Sequence, residues 1–512
     1  MRGKVVVGSL LETDAELAVL PVYEGKTPLR GSAREADRVL KGAVRRMLDS
    51  GEFQPAPRRR RVLPLLESRK GLRPKRLLLM GMGKAADLTV DILRGAAAAA
   101  ARTARDLKLD AFHAEIPGQV LKAPPEAQAQ AWIEGAVMGL YRMDDYRKKE
   151  KDGRAGNVRS GVLMAGDREE AGALGRGVKR GLAMGGAVNF ARDLVTHPAN
   201  VAVPAFLARA ARSLARKYGM TCRILEARDA ERLGMGGVLS VAQAGVAPPK
   251  FIILEHSGRN PKAAPVVLVG KGVTFDTGGL NIKPGGGMRT MKTDMSGAAA
   301  VLGAMRAIGE LNAPQRVVAL APCTENMIAG RANRPGDVIT TLSGLTVEID
   351  NTDAEGRLIL GDALTYARRY KPQAVVDAAT LTGACVVALG ESCSGVLGNS
   401  EELIDRVRRA ADRSGDRVWE LPLWPEYFDR IKSDIADIKN TGGRWGGAIT
   451  AAAFLGRFTE GYPWAHLDIA GPAWRERELP YTPKGASGVG VRLLAELVAE
   501  WRPLKSKKQK WA

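Results

Sequence analysis

Asn351-Thr352-Asp353-Ala354-Glu355-Gly356-Arg357-Leu358 sets two carboxylates and a guanidinium within five positions. Upstream, Val269-Gly-Lys-Gly-Val-Thr-Phe-Asp-Thr-Gly-Gly-Leu-Asn-Ile-Lys-Pro and Met291-Lys-Thr-Asp-Met-Ser-Gly-Ala-Ala-Ala contribute Lys271, Asp276, Lys283 and Asp294. Carboxylates crowded into one pocket raise each other's pKa values and destabilise a fold unless cations compensate them. Two divalent cations resolve that conflict, while the lysines and the arginine can steady a developing negative charge. The stretch therefore reads as a metallohydrolase centre. Carboxylates suit Mg and Mn and are accepted by Zn, so the residues leave the metal open.

The surroundings of these segments predict the scaffold. Phe251-Ile-Ile-Leu-Glu, Val266-Val-Leu-Val-Gly, Arg316-Val-Val-Ala-Leu-Ala and Ala374-Val-Val-Asp-Ala-Ala are short apolar runs suited to buried strands. Helical patterns over Gly297 to Leu311 and Leu360 to Tyr370 intervene. That alternation predicts a mixed sheet with helices on both faces, its ligands gathering at the carboxyl edge. Lys271 follows one such run and Thr380-Leu-Thr-Gly another.

Toward the N-terminus the alternation recurs. Val5-Val6-Val7, Leu17 to Pro21 and Arg76-Leu-Leu-Leu-Met-Gly-Met-Gly-Lys read as strands, the last ending at a glycine turn. Ala36 to Asp49 and Asp87 to Leu107 read as helices. The chain of 512 residues exceeds one ordinary core. The fold class expected is α/β with two domains. A smaller three-layer N-terminal domain spans 1–150, a linker and connecting helix 151–190, and a larger mixed-sheet catalytic domain 191–512. Residues 142–158 are charge-dense and read as an exposed linker.

Composition narrows the class. Hydrophobic residues make up 45% and charged residues 26%, as in globular proteins with apolar surface to bury. No apolar run approaches the roughly 20 residues that cross a bilayer, and the start resembles a strand rather than a signal peptide. A cytoplasmic protein without a membrane partner is expected. Cys222, Cys323, Cys385 and Cys393 match no zinc-knuckle spacing and read as free thiols. His113, His197, His256 and His466 never pair at helical spacing, so an HExxH site is excluded and oxygen ligands must dominate. The net charge of +21 is denser toward the N-terminus, with Arg58-Arg-Arg-Arg61 and a tail of Lys505, Lys507, Lys508 and Lys510. Such a field draws polyanions, although no aromatic residues interleave to stack bases.

These segments resemble the cytosolic leucyl aminopeptidase family of dinuclear metallopeptidases. Besides the segments quoted, the resemblance rests on Arg334-Pro-Gly-Asp, Ala379-Thr-Leu-Thr-Gly-Ala, Ser433-Asp-Ile-Ala-Asp-Ile-Lys-Asn, Trp464-Ala-His-Leu-Asp-Ile-Ala-Gly and Pro483-Lys-Gly-Ala-Ser-Gly. It implies one metal on Lys271, Asp276, Asp294 and Glu355, and a second on Asp276, Asp353 and Glu355, with a neutral Lys271. It implies Mn or Zn, or else Mg or Co. A water activated between them would attack the scissile carbonyl, Lys283 would steady the oxyanion, and Arg357 would hold a bicarbonate acting as base. Met291, Thr380, Leu381, Thr382 and Gly383 would border the first side chain's pocket. Peptide substrates and a homohexamer are also implied. Thr277 and Asp350 depart from the usual family residues without touching a proposed ligand.

Each residue alone has a plainer reading. Asp353 and Glu355 could cap a helix starting near Gly356. Arg357 could be an ion-pair arginine, Lys283 loop surface, and Asp337 a support of the fold. His466 reads as a packed, hydrogen-bonded histidine, and Trp445 as bordering the pocket mouth. The alternative function is a DNA-binding architectural protein using the basic N-terminal domain, alone or beside peptidase activity. A two-metal phosphoesterase is weaker, since no histidine lies near the carboxylates in sequence.

Overall fold

The structure, a computed structural model, describes residues 1–65, 69–148 and 157–505. The chain forms two compact units, Met1–Gly186 with Arg477–Lys484, and Ala187–Glu476 with Gly485–Ala512.

The first unit holds a six-stranded sheet of β1 (Arg2–Val7), β2 (Ala18–Glu24), β3 (Arg60–Pro64), β4 (Arg76–Lys84), β5 (Ala111–Glu115) and β6 (Ser160–Ala165). Their order is β1-β6-β5-β2-β4-β3, parallel except for the β3–β4 pair. Alternation along β4 makes the three layers: Leu78 and Met80 enter one core, Leu77 and Leu79 the other. Ala96 to Ala101 sit in the helix Val90–Asp106 and let it close on the helix Pro125–Gly139. A Cβ on Gly135 would stand 2.0 Å from the Arg94 carbonyl oxygen.

Three details differ from the sequence reading. The helix expected over 36–49 is two, Gly31–Val39 and Ala43–Asp49, because Lys41 and Gly42 adopt positive φ between them. Gly81 and Gly83 lie inside β4, where their missing side chains admit the segment around Pro55 and Pro57. The stretch expected to connect the domains contains β6, which pairs with β1 and β5 and so sits within the first sheet. Flanking charge disguises its apolar run, Gly161 to Ala165. Part of the charge-dense stretch (149–156) and Lys507, Lys508 and Lys510 lie outside the described residues. Arg58 to Arg61 are exposed, the last two on β3 at the sheet's edge.

The second unit contains β7 (Thr221–Leu225), β8 (Lys250–His256), β9 (Val266–Gly270), β10 (Gly272–Asp276), β11 (Val317–Asn326), β12 (Val338–Thr340), β13 (Thr346–Glu348), β14 (Ala374–Ala379), β15 (Ser394–Gly398), β16 (Val418–Glu420), β17 (Ile438–Lys439) and β18 (Trp464–Asp468). The main sheet runs β16-β15-β18-β14-β9-β11-β8-β7, with β10 added on β11. β18, β14, β9, β11 and β10 are mutually parallel, so their carboxyl ends share one edge. β12, β13 and β17 form a small separate sheet. Val267, Val269, Leu360, Leu364, Phe454 and Trp464 join one core beneath the helices Glu355–Ala367 and Gly447–Gly456. The expected mixed-sheet α/β domain is thus present. Among the described residues no helix is long and apolar enough to cross a membrane.

Candidate metal centre

The site grows from the shared carboxyl edge. β9 ends into Lys271, β10 ends at Asp276, and β14 ends into Thr380. Asp294 comes from the short turn Met291–Met295 that feeds the helix Ser296–Leu311. Glu355 begins the helix Glu355–Ala367, whose cap residue is Ala354. No side chain caps that helix end, so Asp353 and Glu355 are not spent on capping. Instead, oxygens of Asp276, Asp353 and Glu355 come within 4.8 Å of one another.

Two lysines thread this cluster. Lys271 Nζ lies 2.7 Å from Asp294 Oδ1 and 2.9 Å from Glu355 Oε1, and donates to the Thr380 carbonyl oxygen at 2.9 Å. Lys283 Nζ lies 2.7 Å from Asp276 Oδ2 and 2.5 Å from Asp353 Oδ1. Lys271, Asp276, Asp294 and Glu355 are buried, while Asp353 is half-buried. Burial disfavours the lysine charges, yet the carboxylates outweigh it and hold both ammonium groups above their ordinary range. Burial also raises Asp276, Asp294 and Asp353, and negative neighbours push the same way.

The donor set fits divalent cations. Asp294 Oδ2 and Glu355 Oε2 are buried with no hydrogen-bond partner among the described residues. Buried acceptors are rarely left so, and an unpartnered oxygen inside a carboxylate cluster suits a cation. Asp294 Oδ1 is meanwhile fixed by the Thr380 hydroxyl at 2.8 Å. Gly278, at φ +86°, lets the loop after β10 approach: a Cβ there would meet Asp353 Oδ1 at 2.8 Å.

Arg357 is buried in the first turn of its helix, and Nη1 donates to the Asn440 carbonyl oxygen at 2.8 Å. Burial pulls its pKa down to about 10, still charged at neutral pH, with Glu355, Asp468 and Asp353 opposing the fall. Its Nε has no partner among the described residues. Behind it, Asp377 accepts from Trp464 Nε1 at 2.7 Å and lies 2.6 Å from His466 Nδ1. Burial opposes the His466 charge, but Asp377 outweighs burial and raises the imidazole pKa. His466 is therefore packed and bonded, through Asp377. Asp337 pairs locally with Arg334 at the surface, away from the cluster's contacts.

The residues expected to border the first side chain's pocket fall around Asp294 and the end of β14. Met291 starts the turn that carries Asp294, and Thr380 bonds that carboxylate. Leu381 N and the Thr382 hydroxyl donate to Asp468, and Gly383 opens the helix Gly383–Leu389.

Three supporting residues carried no role in the sequence reading. Asn326 donates to Asp276 Oδ1 at 2.8 Å and to the Thr352 carbonyl oxygen at 3.1 Å. Asp468 fixes the turn after β14. Asn440 accepts from Asp350 N and Asn351 N at 2.9 and 3.1 Å, and donates to the Asn351 carbonyl oxygen at 2.7 Å. Asp468 and Asn440 stand in quoted motifs, which was the available signal. Asn326 had none, lying at the end of an apolar strand.

Known proteins match this chain along nearly its whole length. The description of the cytosol aminopeptidase family's catalytic domain fits residues 189–495, and that of its N-terminal domain fits residues 19–150. A probable cytosol aminopeptidase of Geobacter sp. (strain M21) is 48% identical over 499 residues, 97% of this chain and 99% of that protein. The bottromycin maturation enzyme BotP, solved in complex with Mn, is 35% identical with a TM-score of 0.82 over 95% of this chain and 99% of its own. A mutant of tomato leucine aminopeptidase is 31% identical with a TM-score of 0.84 over 98% and 96%. With both domains matched and the carboxylate cluster at the sheet edge, this chain belongs to the cytosol aminopeptidase family and is an aminopeptidase.

Proposed function

We propose that this aminopeptidase releases apolar, leucine-like N-terminal residues from peptides using two divalent cations. Lys271, Asp276, Asp294 and Glu355 would hold one, and Asp276, Asp353 and Glu355 the other. The observation that carries this reading is the convergence of carboxylate oxygens within 4.8 Å, with Asp294 Oδ2 and Glu355 Oε2 buried and unpartnered. Bound there, the cations would supply Lewis acidity and a water acidified toward neutral pKa. The donor set leaves Mn and Zn ahead of Mg and Co, and the Mn complex of BotP supports Mn.

The chain's own groups do the rest. Lys271 ligates only as the free amine, so ligation is coupled to loss of its proton. Lys283 places an ammonium between Asp276 and Asp353, at the pocket's half-open side, where it can face an oxyanion. Arg357 keeps its Nε available for a small anion, and bicarbonate beside it would serve as base. Met291, Thr380, Leu381, Thr382 and Gly383 border the recess for the first side chain. A substrate's free α-amine, in its neutral form, would offer one of the cations a nitrogen ligand, which favours cleavage at the N-terminus.

Chelation should abolish leucinamide hydrolysis, and adding back Mn, Zn, Mg or Co singly should restore it and rank the metals. A Glu355→Ala protein with full activity would refute the assignment. The homohexamer implied by the resemblance predicts a sedimentation mass near six chains. The exposed run Arg58 to Arg61 supports a second reading, salt-sensitive DNA binding beside the peptidase. Absence of DNA retention at low salt would remove it.

A further inference from the structure

The turn Met291–Met295 that carries Asp294 also carries Lys292. This lysine is half-buried, and among the described residues no carboxylate pairs with it. Its Nζ instead donates to the Thr196 carbonyl oxygen at 2.6 Å and stands 5.6 Å from the centre of the Trp474 ring. Thr196 closes the 29-residue helix Arg168–Thr196, which has no basic residue in its last turn. Carbonyls at the C-terminal end of a helix lack partners within it and gather partial negative charge, so an ammonium brought from elsewhere is stabilised there. Trp474 belongs to a short antiparallel pair, β19 (Trp474–Arg475) with β20 (Gly485–Ala486). The indole lies against Gly485, where a Cβ would stand 3.6 Å from its edge.

The turn is a 3-10 helix with three residues per rotation, so side chains two apart point to different sides. Asp294 faces the metal centre, where Lys271 and the Thr380 hydroxyl hold it, while Lys292 reaches away into the helix end. A carboxylate ligand is only as well aligned as the groups that support it. We infer that Lys292 is a positioning residue for the metal centre, pinning the turn from behind so that Asp294 stays aligned on the cation it would share with Lys271, Asp276 and Glu355. If the two-cation reading holds, on which this inference rests, the cations are unequal. The one on Asp276, Asp353 and Glu355 takes nothing from this turn.

Mn titration of the chelator-stripped protein against a metal indicator reads the effect without any substrate. Lys292→Met keeps an apolar stem and loses the ammonium, and should weaken Mn binding about tenfold. Lys292→Arg can reach the same carbonyl and stack on the indole, and should recover most of the loss. Trp474→Leu leaves the ammonium in place and should weaken Mn binding about fivefold. A double-mutant cycle then separates alignment from general support. In an Asp294→Ala protein, Lys292→Met should cost nothing further, whereas in an Asp353→Ala protein it should cost the full tenfold. A full loss in the Asp294→Ala background would overturn the inference, since Lys292 would then serve only the fold. So would Mn affinity unchanged in both Lys292→Met and Trp474→Leu. Should Lys292→Met not fold, Trp474→Leu carries the same cycle. A wild type that binds no Mn would defeat the two-cation reading itself, a separate result.

Discussion

Asn440 offers the sharpest test of how the metal loop is held. Its side chain is fully buried and ties down the backbone at 350, 351 and, at a long 3.4 Å, 354. Asn440→Ala removes the acceptor for two N–H groups and the donor for one firmly bonded carbonyl. Asp350 is exposed, so water can replace its bond, but Asn351 is half-buried and loses two. A buried hydrogen bond contributes about 1 kcal/mol net and an orphaned partner costs about 1–3 kcal/mol, so the loss should be about 2–3 kcal/mol. Because the freed segment carries Asp353 and Glu355, metal affinity should fall about tenfold to a hundredfold, as when other supports of metal ligands are removed. Asn440→Asp keeps the acceptor but points oxygen at the Asn351 carbonyl, and it should lose affinity too despite its matching shape. Urea unfolding with chelator present reads the first effect, and competition with a metal indicator reads the second. An alanine variant within about 0.5 kcal/mol of wild type and binding metal equally well would refute the rivet.

Other perturbations separate the parts of the site. Gly356→Ala would place its Cβ 2.4 Å from Lys271 Cε and 2.7 Å from Nζ. The flexible lysine end yields, so urea stability should stay within about 1 kcal/mol while leucinamide kcat falls at least about tenfold. Lys283→Met should lower kcat about a hundredfold or more with little change in KM, read by steady-state kinetics. Asp362, buried and bonded to the N–H groups of Leu342 and Val238, is pushed by burial from 3.8 up to about 7. A carboxyl raised on folding stabilises fully below its unfolded pKa and loses that contribution as pH rises through the folded one. Asp362 should therefore cost about 3 kcal/mol between about pH 5 and pH 8, a slope that Asp362→Asn removes in pH-dependent urea midpoints.

The charged members of the centre were legible because their types are improbable together. Lys271, Asp276, Asp294 and the Asn351 to Leu358 stretch announce a site through chemistry that a core would not tolerate unpaired. The sheet was legible because strands such as Val266 to Gly270, covered on both faces, are continuously apolar. Asn440 was not, because an asparagine that binds backbone leaves no complementary side chain to recognise 89 residues away. The break at Lys41 and Gly42 was hidden by amphipathic spacing that survives it. β6 was hidden because pairing with β1 and β5, far off in sequence, makes it a strand.

The order of the strands explains why so many charges can share this pocket. Parallel neighbours deliver Lys271, Asp276 and Thr380 to one edge, but position alone would not bring Lys271 between Asp294 and Glu355. Close backbone contacts do that. A Cβ on Gly270 would meet the Gly297 carbonyl oxygen at 2.5 Å, and one on Gly297 would meet the Ala378 carbonyl oxygen at 2.0 Å. The helix start at Ser296 is therefore pressed toward β9, where the Ala298 N–H bonds the Lys271 carbonyl oxygen at 2.8 Å, and Gly356 leaves room for the Lys271 side chain beside Glu355. A carboxylate stranded a few ångströms farther from its cation would keep its desolvation cost and lose most of its compensation. The glycines at the strand ends are thus part of the electrostatics: widening either contact by one methyl group should raise the carboxylate pKa values and weaken cation binding together.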